Sequence, residues 1–175
     1  ITKLTATYNP EYQGIDAGTN QKHQINEQPN TFYLFQQVYD KDGKPVQNAF
    51  VDRDGNGKIT EADRYLTGKS PMAKVFMGLS SEFTYRNWDL GFNLRANLGN
   101  YVFNSLAAGN STTNNYSGKG FLVNYYEAIY KTGFTKINST EQGASDYFLE
   151  NASFLKMDNI TLGYSFNKLF NSRLS

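Results

Sequence analysis

The sequence predicts an all-β fold, an antiparallel portion of a transmembrane β-barrel with long outer loops. Three observations predict it. Two long runs, 75–86 and 88–99, alternate apolar and polar residues about a turn at Arg86-Asn87. Each run is about twice the ~5–6 residues of an ordinary soluble strand and near the ~9–11 that a tilted strand needs to cross a bilayer. The connections flanking the pair are long and the one inside it is short, which is how bacterial barrels sort their loops.

Taken in order, residues 1–8 read as the end of a strand, with Leu4, Ala6 and Tyr8 on one face. Residues 9–74 read as a long polar connection with one short strand over 31–39 and a turn at Asp40-Lys41-Asp42-Gly43. In 75–86, Val75, Met77, Leu79, Phe83 and Tyr85 project one way, and Phe76, Gly78, Ser80, Glu82, Thr84 and Arg86 the other. In 88–99, Trp88, Leu90, Phe92, Leu94, Ala96 and Leu98 oppose Asp89, Gly91, Asn93, Arg95, Asn97 and Gly99. A period of two means strand, because successive side chains leave opposite faces of a sheet. The charged face suits a wet lumen and the apolar face suits lipid.

Residues 100–152 form a second long connection, with a surface loop at 110–115 and a helix over 121–131. There Leu122, Tyr125, Tyr126, Ile129 and Tyr130 recur at helical spacing. The last strand, 154–166, places Ile160, Leu162, Tyr164 and Phe166 on its apolar face. Lys156 and Asp158 break that pattern and predict a bulge or an interior kink. In this arrangement the connections 9–74 and 100–152 lie outside the cell. These strands are too few to close a barrel, which needs about eight. Both ends of the chain read as cut edges of a longer protein.

Composition narrows the function. The chain has 175 residues, 13 Tyr and 13 Phe, and such aromatics either girdle a barrel or simply favour strands. The formal net charge of +1 and the scattered Lys and Arg give no field for nucleic acid. With no Cys, disulfides, thiolate metal sites and Cys nucleophiles are excluded. His23, the one His, lies in a polar stretch and reads as solvated. Glu82 and Asp89 share the polar face, as charges in any barrel interior do. No GxSxG, P-loop or dinucleotide fingerprint is present, and the chain is not read as an enzyme.

One segment carries ligand chemistry. Asp52, Asp54 and Asn56 stand at positions 1, 3 and 5 of a calcium loop of the EF-hand type. Gly57 supplies the sharp turn, Lys58 offers a backbone carbonyl, Thr60 sits at position 9 and Asp63 at position 12. Ile59 is the apolar position that packs inward. Asp at position 12 is shorter than the usual Glu, so weaker, structural calcium binding is expected. The competing reading is an Asx- and Gly-rich turn without metal.

Several of these segments look alike to one family. Gly68-Lys69-Ser70-Pro71, Phe83-Thr84-Tyr85, Trp88-Asp89-Leu90, Gly99-Asn100-Tyr101-Val102-Phe103-Asn104 and Ala152 to Phe166 resemble the late barrel of SusC/RagA-type TonB-dependent transporters. The Asp52-to-Asp63 loop matches the acidic, glycine-rich loop upstream in that family. The resemblance implies a plugged outer-membrane barrel of about 22 strands in a Gram-negative bacterium. It implies import of oligosaccharides or peptides, driven by the TonB complex and capped by a SusD-like surface lipoprotein. The plug and the TonB box would lie outside this chain, which reads as a C-terminal barrel fragment. The alternative is a secreted, calcium-stabilised β-sandwich that binds carbohydrate. Strand length discriminates, since a sandwich has strands of about 5–6 residues and a second packed sheet.

Overall fold

A computed structural model describes residues 3–5, 14–113, 124–135 and 142–166. In chain order its strands are β1 (Ile15–Asp16), β2 (Gln21–His23), β3 (Thr31–Phe35), β4 (Gln37–Tyr39), β5 (Pro45–Phe50) and β6 (Arg64–Leu66). There follow β7 (Val75–Tyr85), β8 (Trp88–Leu98), β9 (Tyr101–Phe103), β10 (Leu149–Asn151) and β11 (Phe154–Tyr164). Two short helices, α1 (Ser105–Asn110) and α2 (Glu127–Thr132), lie between β9 and β10. The chain divides into two compact units, one from 1–72 with 100–152, the other from 73–99 with 153–175.

The second unit is a three-stranded antiparallel sheet in the order β11-β8-β7, each strand 11 residues long. The hairpin register pairs Leu79 with Leu94, Phe83 with Leu90 and Tyr85 with Trp88. Across β8, Met157 pairs with Leu94, Leu162 with Leu90 and Tyr164 with Trp88. All of these share one face. The other face carries Gly78, Arg95 and Lys156, then Ser80, Asn93 and Asn159, then Glu82, Gly91 and Thr161.

The apparent break in β11 is a bulge. The register shifts between Met157 and Asn159, which leaves Asp158 unpaired. One extra residue reverses the parity of a strand. Leu155 and Met157, at odd positions, therefore share a face with Ile160, Leu162 and Tyr164, at even ones. Asp158 reaches Arg95 in an ion pair of 3.0 Å, and the Asn93 amide donates to Asn159 Oδ1 at 2.7 Å. At the hairpin turn Arg86 adopts the left-handed region, with φ of 54°. There Trp88 packs edge-on against Tyr164, with ring centroids 4.8 Å apart.

Many large side chains on the apolar face are exposed. Phe83, Leu155 and Leu162 are 57%, 72% and 66% exposed. A water-soluble fold buries such side chains, each worth roughly 1.5–3 kcal/mol. A packed sandwich is the wrong description of this sheet.

The first unit holds more order than the alternation pattern reveals. The 9–74 connection contains a sheet of order β1-β2-β3-β6 and a β4-β5 hairpin, and β9 pairs with β10. Phe35, Phe50 and Ala144 form one small core, and Ala107, Ala108, Phe134 and Phe148 another. Polar groups fasten the segments. Buried Gln37 donates its amide to the carbonyls of Val38, Val46 and Ala49 and accepts from Ser145 Oγ at 2.8 Å. The Asp146 carboxylate accepts the Gln37 backbone N–H at 2.9 Å and the Tyr65 hydroxyl at 2.7 Å.

The surface loop expected at 110–115 is corrected in its first half. Asn110 closes α1, and Ser111 and Thr112 are buried, with the Thr132 hydroxyl donating to the Ser111 carbonyl. Residues 114 and 115 lie outside the described residues. The helix expected over 121–131 is shorter: α2 begins only at Glu127, with Tyr126 as its N-cap and Tyr125 before it, and ends at Gly133 in the left-handed conformation; residues 121–123 lie outside the described residues. Of the strand expected at 1–8, only 3–5 are described, where Leu4 exchanges backbone hydrogen bonds with Asn26 and Glu27.

Gln37→Leu leaves three carbonyls and the Ser145 hydroxyl without their Gln37 partner. The expected cost is about 2–3 kcal/mol in local opening. Amide exchange at Ser145 to Phe148 should quicken on the order of 30- to 150-fold, read by hydrogen–deuterium exchange. Unchanged exchange there would refute the fastening role.

Candidate cation-binding loop

Residues 52–63 fold on themselves through short-range side-chain acceptors. Asp52 Oδ1 accepts the Gly55 N–H and its Oδ2 the Gly57 N–H, both at 2.7 Å. Asp54 accepts the backbone and amide N–H groups of Asn56 at 3.0 and 2.7 Å. Asn56 Oδ1 accepts the Lys58 N–H at 2.7 Å. These are successive Asx turns, the reason Asp and Asn recur at alternate positions. Gly55 and Gly57 take φ of 72° and 76°, where an L side chain is strained.

Asp63 closes the loop. Its Oδ1 accepts the N–H groups of Arg53 and Asp54 at 2.8 and 3.4 Å. Its Oδ2 accepts the Thr60 N–H at 2.7 Å and the Thr60 hydroxyl at 3.4 Å. Thr60 and Asp63 thus form a capping box on the 3-10 turn Glu61–Asp63. The Thr60 N–H, first among these donors, holds the Asp63 carboxyl below the ordinary carboxylate range against the opposing effect of burial. The loop is anchored outward as well. Ile59 packs on the Phe35–Phe50–Ala144 core, and Arg53 lies over the Tyr65 ring and donates to Gln36 Oε1.

The six residues picked out by spacing stand in different roles. Asp52, Asp54 and Asp63 each bring one carboxylate oxygen within 4.8 Å of the others. A carboxylate offers about four lone-pair sites. Asp52 and Asp54 use one hydrogen bond per oxygen and keep capacity for a cation. Asp63 takes two per oxygen and serves the loop itself. Asn56 has committed its side-chain oxygen to the Lys58 N–H, and Thr60 caps the Ala62 N–H. The donor set is hard oxygen, which fits calcium. Sequence reasoning missed Arg53 and Tyr65, whose contacts join segments far apart in the chain.

Comparison with known proteins agrees with this structure. The chain is 43% identical to the TonB-dependent receptor SusC of Bacteroides thetaiotaomicron over 99% of its own length, and 25% identical to the TonB-dependent receptor P3 of Formosa agariphila over 93%. It spans 18% and 15% of the length of these two relatives. Its fold superposes on the structure of the RagAB peptide transporter with a TM-score of 0.58, at 20% identity, over 87% of this chain and 18% of that one. No protein-family model matches it. The chain is SusC/RagA-like along nearly its whole length, and its fold is that of a β-barrel fragment.

A depressed carboxyl stabilises the fold above its unfolded value of 3.8, and that stability is lost as pH falls through the lower folded value. Asp63→Asn should therefore lower the thermal midpoint at neutral pH. The gap to the parent should shrink as pH drops below about 4. A gap that persists unchanged in acid would show that the charge on Asp63 is not what closes the loop.

Proposed function

We propose that the chain forms part of the barrel wall and outer loops of a TonB-dependent transporter in the outer membrane of a Gram-negative bacterium. The observation that carries this reading is the apolar face shared by three long strands and kept continuous by the Asp158 bulge. Strands of 11 residues have the reach to cross the hydrocarbon layer. The face bearing Glu82, Arg95, Asp158 and Lys156 then meets the polar interior. The SusC likeness supports uptake of a nutrient, an oligosaccharide or peptide, powered by the TonB complex and shared with a SusD-like surface lipoprotein. The first unit, built from 1–72 and 100–152, supplies the outer surface on which cargo and lipoprotein are met.

In this reading calcium sits in the 52–63 loop as a structural ion. Asp52 and Asp54 hold it with their remaining lone pairs, Asn56, the Lys58 carbonyl and Thr60 supply further oxygens, and Asp63 joins the ring by giving up one of its loop hydrogen bonds to the ion. Calcium would offset the repulsion among three carboxylates when bound. A loop fixed before docking loses less conformational freedom on meeting its partner.

Two measurements test the reading. Leu94→Arg, on the apolar face, should weaken insertion by about 2–4 kcal/mol at mid-bilayer, whereas Asn93→Arg on the other face should be tolerated. Folding into lipid vesicles at graded urea reads both, and equal effects would sink the assignment. For the loop, calcium at ten times its dissociation constant should add about 1.4 kcal/mol of stability. Asp52→Ala with Asp54→Ala should erase that rise in melting temperature, and no rise in the parent would remove calcium from the account.

A further inference from the structure

We propose that the cleft between the β1–β2 hairpin and the Glu61–Asp63 turn binds a single carboxylate group, gripped by Arg64 and Lys22. The cleft has a volume of about 550 Å³ and is lined by Asp16, Gln21, Lys22, Tyr33, Glu61 and Arg64, among others. It stands on its own geometry and owes nothing to the transport reading.

The Arg64 side chain is only 7% exposed. Its guanidinium lies 5.0 Å from the Phe35 ring centre and 6.0 Å from that of Tyr33. Among the described residues, the Thr19 carbonyl accepts its one well-directed hydrogen bond, from Nη1 at 2.9 Å. Nε sits 2.9 Å from Glu61 Oε2, yet the buried N–H does not point along that line and is without a hydrogen-bond acceptor. A guanidinium has five donors, and a buried charge is costly unless it is paired and its donors are met. Glu61 meets this need poorly, because its side chain is 73% exposed and a solvated partner contributes little.

Lys22 repeats the pattern. Its side chain is 27% exposed, with Nζ 3.9 Å above the Tyr33 ring. Its carboxylate neighbour Asp16 is 80% exposed and reached only at 3.9 Å. Two cations on the floor thus face two carboxylates on the rim. The floor attracts an anion, and the guanidinium fork fits a carboxylate with two parallel hydrogen bonds. Asp16 and Glu61 at the mouth repel a multiply charged group and so select a monoanion over phosphate. Lys22 covers a face of Tyr33, so the ring offers no free platform for stacking there. The fitting ligand is a small molecule or chain end bearing one carboxylate, either an acidic amino-acid side chain or a uronic acid.

Ligand-observed NMR on the full-length protein in detergent at low salt tests this. The probes are N-acetylglutamate α-methylamide and glucuronate, with N-acetylglutamine α-methylamide, glucose and inorganic phosphate as controls. At least one carboxylate should bind about tenfold more tightly than its neutral isostere and than phosphate; which one binds identifies the source. Lys22→Gln should weaken binding about fivefold or more, and Arg64→Lys, which keeps charge but loses the fork, should reduce it further. Equal binding of charged and neutral probes, no carboxylate binding, or preference for phosphate overturns the proposal. If Arg64→Lys fails to fold, Lys22→Gln decides, and unchanged affinity in that variant also overturns it.

Discussion

Parity governs the long-stranded unit. Side chains of a strand alternate with a period of two, so adjacent strands share an apolar face only while their registers keep step. Between β7 and β8 the step is kept by an uninterrupted register from Val75–Leu98 to Tyr85–Trp88. In β11 the spacing of Leu155 and Met157 is out of phase with that of Ile160 and Leu162. A single unpaired residue, Asp158, brings the two halves onto one face. The residue chosen for that place is charged, and its carboxylate lands beside Arg95 on the polar face. One irregularity thus completes the apolar wall and adds an ion pair to the opposite one.

The other unit is held by different means. Its apolar cores are small, and buried polar groups bind short strands and turns together. Gln37 alone satisfies three carbonyls and a hydroxyl. Asp146 receives a backbone amide and a phenol, and burial first, then this bond, pushes the Tyr65 hydroxyl well above its usual range. Asp63 gathers the two ends of its loop. Buried polar networks of this kind specify one arrangement because every alternative leaves a donor or acceptor unmet.

Locality decided what was legible beforehand. The β7–β8 hairpin and the bulge show in the sequence because alternation is a property of neighbours, broken visibly at Lys156 and Asp158. The Asp52-to-Asp63 loop shows because Asx turns and left-handed glycines act over a few residues. β1, β2, β4 and β6 are two to three residues long, too short to display a period. The Gln37–Asp146 bond joins residues 109 positions apart, and nothing in either neighbourhood announces it. The same holds for the cleft, since Arg64 in the sequence is one more scattered cation. Only packing against Phe35 and Tyr33 makes it a buried one.

That long-range bond bears on the order of assembly. The unit it belongs to is discontinuous, with the β7–β8 hairpin emerging between its halves. When 1–72 leaves the synthesis machinery, Gln37 has the carbonyls of its own hairpin, but Ser145 and Asp146 do not yet exist. Phe35 and Phe50 likewise await Ala144. The entropy of closing so long a chain segment is lost before its contacts form, which makes this step slow compared with hairpin formation. Until residues 144–146 are made, the half-built unit therefore exposes the rings of Phe35 and Phe50, and a holding chaperone has something definite to grasp.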